Sequence, residues 1–180
     1  MKTTNARASK KIKNPRAVTY LKTKYPTISL MANWPRIKTA LAYPAFRKAL
    51  VYPEVRTALA TTEIGVHVTN ALKYSNFRTA LAHPEVRNAL RSRNFVRSLQ
   101  HPEFRTLLRF PEIRLALSTP EFINTLYRPK FIKALTYAQV RAVINTPGFR
   151  SMIQSQLFDT RLDQAKTRQE LINLFKSSAS

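Results

Sequence analysis

The stretch His101–Leu135, HPEFRTLLRFPEIRLALSTPEFINTLYRPKFIKAL, repeats a nine-residue unit without a gap. The unit reads Pro, Glu, a large apolar residue, Arg, a variable residue, Ala, Leu, a variable residue, and often an aromatic residue or His before the next Pro. The same frame extends to both sides, interrupted by four inserted residues at positions 70–73. Of the eleven prolines, only Pro15 lies outside it. A fixed short period of this kind predicts a repeat architecture.

The first two positions of the unit predict the start of a helix. Pro suits the first helical position, because its missing N–H would have no partner there. Glu at the second position places a negative charge at the positive end of the helix dipole. Six of the nine acidic residues occupy this position, which favours a structural role over a catalytic one: Glu54, Glu63, Glu85, Glu103, Glu112 and Glu121.

The third, sixth and seventh positions are mainly apolar. Residues four apart lie on one face of a helix, so the third and seventh residues form a stripe with the small sixth residue beside it. Nine residues at about 100° each would rotate successive stripes by roughly 180°, so one continuous helix cannot keep them aligned. We therefore expect the chain to turn at each Pro and to form two-turn helices with very short links. Phe46 with Leu50 and Phe104 with Leu108 are examples of the stripe.

A single unit is too small to fold alone, because ordering nine residues costs more free energy than burying two large side chains provides. Neighbouring units must share a core, as they do in solenoids. We expect the aromatic residues that precede the next unit to fill the joints between helices: Trp34, Tyr43, Tyr52, Tyr74, Phe110 and Tyr137.

The predicted fold class is therefore all-α, a solenoid-like array of short Pro-started helices with a basic N-terminal arm and a longer C-terminal helix. We divide the chain into a basic arm (1–24), a first helical repeat sub-array (25–69), a second sub-array (70–158) and a C-terminal capping helix with its tail (159–180). The boundary at residue 70 is the four-residue insertion, where we expect a kink or a longer helix.

The C-terminal segment loses the nine-residue pattern. Residues 160–176 predict one longer helix with Thr160 as its N-cap. Its apolar residues lie close to one stripe, as expected for a helix that closes the open end of a solenoid core: Leu162, Ala165, Ile172 and Phe175.

The residue types exclude most enzyme classes. The chain has no Cys, three His, two Asp and two Gly, which leaves no thiolate metal site and no Gly-rich phosphate loop. No Ser-His-Asp set, paired acid or HExxH motif occurs. We expect no catalytic residue, no metal, no cofactor and no small-molecule substrate. The sequence also predicts no transmembrane segment and no secretory signal peptide.

The net charge of +22 predicts attraction to polyanions. Residues 1–24 carry eight Lys or Arg and no acid, which is typical of an arm that lies on phosphate or on acidic protein.

Basic residues also recur at the fourth position of the unit, beginning with Lys38. In a regular array, residues at the same position of every unit lie on the same surface. We call the arginines at this position the Arg ridge and expect them to bind a partner, since the planar guanidinium suits phosphate and carboxylate. The alternative is a solvated face paired with Glu of a neighbouring unit. The candidate binding residues are Lys10, Lys11, Lys13 and Arg16 of the arm and Arg47, Arg56, Arg78, Arg87, Arg105, Arg114, Arg141 and Arg150 of the ridge.

These features favour a non-enzymatic structural protein of a large assembly, cementing acidic protein or nucleic-acid surfaces through the arm and the ridge. A minor virion or capsid component is our first expectation and an organellar ribosomal protein the second, because ribosomal extensions are typically irregular and Gly-rich. The expected partners are other proteins of the assembly, nucleic acid, or both, in a virion or an intracellular ribonucleoprotein particle.

Two other functions fit the same sequence. A soluble RNA- or DNA-binding repeat module would act through the Arg ridge. A hydrophobic-client adaptor would use the Phe and Leu stripe as a groove, because PEVR, PEFR and PEIR resemble the rhythm of a chaperone module whose short helices start at Asn-Pro or Asp-Pro.

Overall fold

The computed structural model describes residues 19, 22–25 and 34–179. In that part of the chain every regular element is a helix and no strand occurs. The predicted all-α array of short helices is confirmed.

The helices are short and follow one another with links of one to five residues. The first eight are α1 (Trp34–Ala40), α2 (Pro44–Ala49), α3 (Pro53–Ala60), α4 (Thr62–Ala71), α5 (Ser75–Ala80), α6 (Pro84–Ala89), α7 (Arg93–Ser98) and α8 (Pro102–Leu107). The next seven are α9 (Pro111–Ala116), α10 (Pro120–Thr125), α11 (Pro129–Leu135), α12 (Ala138–Arg141), α13 (Pro147–Gln154), α14 (Phe158–Gln164) and α15 (Arg168–Lys176). A 3₁₀-helix follows at Ser177–Ala179.

Each helix packs against the helix three places later in the chain, from α1 against α4 to α12 against α15. Three helices therefore complete one turn of a solenoid, and their successive turns form three stacks. Stack A contains α1, α4, α7, α10 and α13; stack B contains α2, α5, α8, α11 and α14; stack C contains α3, α6, α9, α12 and α15. These contacts support the solenoid-like arrangement that the repeat predicts.

The four inserted residues lengthen α4 to ten residues. Four residues are close to one helical turn, so α4 gains a turn and the chain re-enters the nine-residue frame at Ser75. Contacts between α2 and α5 and between α3 and α6 span this point. The insertion is thus accommodated as a longer helix, one of the two expected outcomes, and one core cluster extends from Ile37 to Phe175.

Pro begins the helices as predicted, occupying the first turn of α2, α3, α6, α8–α11 and α13. The residue before it is extended, with φ −80° and ψ 124° at Tyr52, because Pro restricts its backbone. The seventh-position Leu lies in or just after the last turn, with φ −67° and ψ −13° at Leu50. The chain therefore turns within each nine-residue unit.

The apolar stripe forms the core. The third-position residues Phe46, Phe77 and Phe104 and the seventh-position residues Leu50 and Leu108 are buried. Ala at the sixth position is buried as well, and it brings neighbouring helices close together. Ile153 differs, since it packs against the core but is only partly buried.

The prediction of a single helix over residues 160–176 is wrong. The chain forms α14 and α15, with Thr160 inside α14 and an extended residue, Ala165, between the helices. A capping box explains the restart: the Thr167 hydroxyl accepts the Glu170 N–H at 3.1 Å, and the Glu170 carboxylate accepts the Thr167 N–H at 3.1 Å.

The predicted stripe of this segment is nevertheless buried at Leu162, Ala165, Ile172 and Phe175. The Phe175 ring lies 5.9 Å from that of Phe131 and 5.8 Å from that of Phe149 between centroids. These separations are typical of favourable aromatic pairs. The nine-residue α15 therefore inserts an aromatic side chain into the last turn of the core.

Replacing Gly148 by Ala is expected to lower the melting temperature. An added Cβ would collide with the backbone carbonyl of Ser178, so residues 177–179 must move away from α13. Elsewhere in a helix, Gly→Ala stabilises by about 1 kcal/mol. In a chain ending at Lys176 the same substitution should be neutral or stabilising in thermal unfolding. Equal destabilisation in both chains would contradict this contact.

Glu170 makes the stability of α15 depend on pH. Hydrogen bonds from the backbone N–H groups of Lys166, at 2.5 Å, and of Thr167 lower the pKa of this carboxyl. The stabilisation is therefore present above the pKa of the unfolded chain, about 4.3, and is lost as the pH falls through the folded value.

Glu170→Gln keeps an acceptor but removes the titration, so the wild type should be more stable at pH 7 and should converge with the variant once acid protonates the folded carboxyl. Melting temperatures measured across this range test the expectation. Glu103→Gln, at an exposed carboxylate that forms no ion pair with any described residue, is the control and should leave the wild-type pH dependence unchanged. A constant difference between wild type and Glu170→Gln would contradict the role of the carboxylate.

Candidate polyanion-binding surface

Seven ridge arginines bond to the end of the preceding helix. In each, Nη1 donates to the carbonyl oxygen of the residue six positions earlier, for example from Arg105 to Leu99 at 2.7 Å. Most also donate to the carbonyl five positions earlier, as Arg105 does to Gln100 at 3.1 Å. The seven are Arg47, Arg56, Arg78, Arg87, Arg105, Arg114 and Arg141.

These bonds have a clear electrostatic reason. The last carbonyls of a helix have no partner within it, and they form the negative end of its dipole. A guanidinium supplies donors and a positive charge at the same point. Each Arg therefore reaches back across its joint and caps the helix that precedes it.

The same guanidinium groups also contact the turn below. The Arg105 guanidinium lies 3.6 Å from the centroid of the Tyr74 ring, and Arg87 lies 4.2 Å from that of Tyr52. Arg141 lies 4.0 Å from that of Phe110. These distances are within the range of cation–π attraction. Each aromatic residue precedes the helix three places earlier, so the pair links two turns of the solenoid.

Some of these arginines also face a helix-start glutamate of the turn below. Arg141 Nε lies 3.4 Å from a Glu112 carboxylate oxygen, and Arg87 Nε lies 3.9 Å from one of Glu54. The alternative of pairing with Glu of a neighbouring unit is therefore present at part of the ridge.

The structure places the candidate binding residues in three environments. Arg105 is buried, with 6% of its surface exposed, and the other six helix-capping arginines are half-buried. Arg150 is exposed, and its side chain makes no hydrogen bond or ion pair within the described residues. Lys10, Lys11, Lys13 and Arg16 lie outside the described residues. Partner binding by any of these side chains stays a prediction.

The helix-capping arginines belong to stacks B and C only. In stack A the fourth position holds Lys38, Gly65, Val96, Ile123 and Arg150. The residues that directly precede α4, α7, α10 and α13 are instead Ser or Thr, and Ser92 and Thr146 accept the N–H of the third helical residue. Stack A is further linked by Arg97 to Glu63 at 2.7 Å and by Gln100 to His67 at 2.6 Å.

A second group of basic residues is exposed and forms no ion pair within the described residues. Many of its members occupy the fifth and eighth positions of the unit, which lie opposite the apolar stripe. The group includes Arg36, Lys38, Lys48, Lys73, Arg91, Arg109, Lys133, Arg150, Arg161, Arg168 and Lys176. Apart from Lys38 and Arg150, the sequence did not single out these residues, although the outward phase of the fifth and eighth positions could have revealed Lys48, Arg91, Arg109 and Lys133.

No group of three or more His, Cys, Asp or Glu side chains occurs among the described residues. Nor does any described helix combine the length and apolar character that crossing a bilayer requires. The notable chemistry of this surface is its positive charge: residues 34–180 contain 23 Lys and Arg against nine acids, a net charge of +14.

Comparison of the chain with models of known protein families, with curated proteins and with solved structures finds no match. The function is therefore inferred from the charge and the contacts of the basic surface.

Arg105→Ala is expected to destabilise the fold by about 3 kcal/mol, because it removes two charged hydrogen bonds and a desolvated cation–π contact. Arg150→Ala makes the same change at an exposed side chain and should stay within about 0.5 kcal/mol of wild type. Urea denaturation of both variants gives the two free energies of unfolding. Similar values would show that the cap does not stabilise the array.

Proposed function

We propose that this protein is a non-enzymatic structural component of a large assembly and cements acidic protein or nucleic-acid surfaces. It would do so through the basic arm, the Arg ridge and the exposed basic residues. The observation that carries this proposal is that exposed cations without an ion pair among the described residues lie on all three stacks of the solenoid. Examples are Lys73 on stack A, Lys133 on stack B and Arg91 next to α6 of stack C.

This distribution distinguishes a cementing protein from a module with one binding face. A single-face module needs its cations concentrated on one stack, whereas a component embedded in an assembly meets partners on several sides. The charge is also poorly neutralised within the chain, since nine acids oppose 31 basic residues. Such an excess favours polyanionic neighbours on electrostatic grounds.

We favour a virion or capsid component over an organellar ribosomal protein. The chain contains only two Gly, and its repeat is a regular protein-packing device. Client binding through the Phe and Leu stripe is less well supported, because those side chains are buried in the core and the array would have to open to expose them.

A salt titration tests the proposal. The probes are a 20-base-pair DNA duplex, a 20-nucleotide RNA strand and polyglutamate, at about 50 to 200 mM salt. We expect tight binding to at least one probe, with log affinity falling by about 0.7 to 0.9 per log salt for each phosphate contacted.

Three matched variants locate the contacts: Arg36→Gln with Lys73→Gln on stack A, Lys48→Gln with Lys133→Gln on stack B, and Arg91→Gln with Lys176→Gln on stack C. A cementing protein should lose affinity in all three. Loss confined to one stack would indicate a single-face nucleic-acid module instead. Binding to none of the probes would overturn the proposal.

A further inference from the structure

We infer that two consecutive grooves on stack A bind single-stranded nucleic acid, with Tyr43 and Tyr74 as stacking platforms and Arg36 and Lys73 as phosphate ligands. This inference rests on the proposed function, because it assumes a polyanionic partner. It identifies the polyanion bound by stack A as single-stranded nucleic acid.

The two grooves are continuous. The first lies between α1 and α4 and is lined by Arg36, Tyr43, Asn70 and Lys73. The second lies between α4 and the joint that follows α7, and Asn70, Lys73 and Tyr74 line it together with Leu99, Gln100 and Arg105. Asn70 and Lys73 border both grooves, so a chain lying in one can pass into the other beside the same lysine.

Neither groove is lined by an acidic side chain. Two other grooves do carry one, since Glu54 lines the groove between α3 and α6 and Glu103 lines another beside α8. Arg36 and Lys73 are exposed and form no ion pair within the described residues. Charge therefore favours an anionic occupant at this site over the grooves that Glu54 and Glu103 line.

Tyr43 and Tyr74 differ from the other aromatic residues that directly precede a helix. Each is 46% exposed, whereas Tyr52, Phe110 and Tyr137 are partly buried and pack against the core. A guanidinium supports each ring from the next turn, Arg78 at 6.0 Å from the Tyr43 centroid and Arg105 at 3.6 Å from that of Tyr74. Aromatic rings beside cations are the usual platform for unpaired bases, which stack on them with little sequence preference.

The spacing favours a single strand over a duplex. Tyr43 and Tyr74 occupy equivalent joints on successive turns, and packed helices lie about 8–10 Å apart. Bases in a duplex are about 3.4 Å apart along each strand and cover one another's faces. Only a strand with unstacked bases can place two of them on rings so far apart.

The experiment compares three labelled probes by fluorescence anisotropy: a 12-nucleotide thymidine strand, an abasic strand of equal length and charge, and a 12-base-pair duplex. We expect the wild type to bind the thymidine strand most tightly. Tyr43→Leu with Tyr74→Leu should weaken that binding by roughly tenfold per tyrosine and leave the abasic strand and the duplex unaffected.

Two controls separate stacking from folding. Tyr43→Phe with Tyr74→Phe keeps both rings and should bind as the wild type does. Tyr127→Leu makes the matched change at a ring that is 55% exposed, beside Arg128, which is paired with Asp159, and should also have no effect. Melting temperatures confirm that the variants are folded.

The outcomes separate this inference from the proposed function. If the double Leu variant binds the thymidine strand like the wild type, or if the wild type binds the duplex equally tightly, the stacking site is overturned. In either case the binding of polyanions by charge would stand. If the wild type binds no probe here and no polyglutamate, both fail.

Discussion

The structure depends on how a six-residue helix finds partners for its backbone groups. An α-helix leaves about four N–H and four C=O groups unpaired at its ends, so a helix as short as α6 consists largely of ends. Pro removes one of the orphan donors. Ala82 and His83, which follow α5, donate their N–H groups to Thr79 and Ala80. The Arg of the next unit supplies further donors, so nine residues suffice for a helix and its turn.

The helix-capping arginines also explain why the array holds together in two directions. Arg87 donates to the Leu81 and Ala82 carbonyls within its own turn and lies against Tyr52 and Glu54 of the turn below. One side chain thereby couples three units, namely its own, the one before it and the one three places earlier. Lys could not replace it, because an ammonium lacks the planar fork that reaches two carbonyls and a ring face at once.

The sequence is sufficient to predict the structure of the nine-residue unit but not the number of helices in each turn of the solenoid. Pro at the helix start and the burial of residues such as Phe104 and Leu108 follow from local chemistry and helical phase. The number of helices per turn depends on packing between distant units, which a nine-residue period does not encode. A weaker signal was present, since Gly65, Val96 and Ile123 interrupt the run of Arg at every third unit. For the same reason the sequence predicts the Arg ridge as a surface but does not predict the contacts that its guanidinium groups make with carbonyls and rings.

The helix-capping arginines already contact carbonyl groups and aromatic rings. The exposed basic residues are therefore the part of the surface most available to a partner. Internal ion pairs neutralise little of the charge, because residues 34–180 retain a net charge of +14 and several of the carboxylates are already shared with Arg. Self-repulsion of this size opposes a compact array, and it weakens when a polyanion or salt screens the charges. A ligand that binds only the folded state stabilises that state by mass action. Folding of the array and binding of its partner should therefore be coupled, with the exposed cations responsible for both the repulsion and its relief.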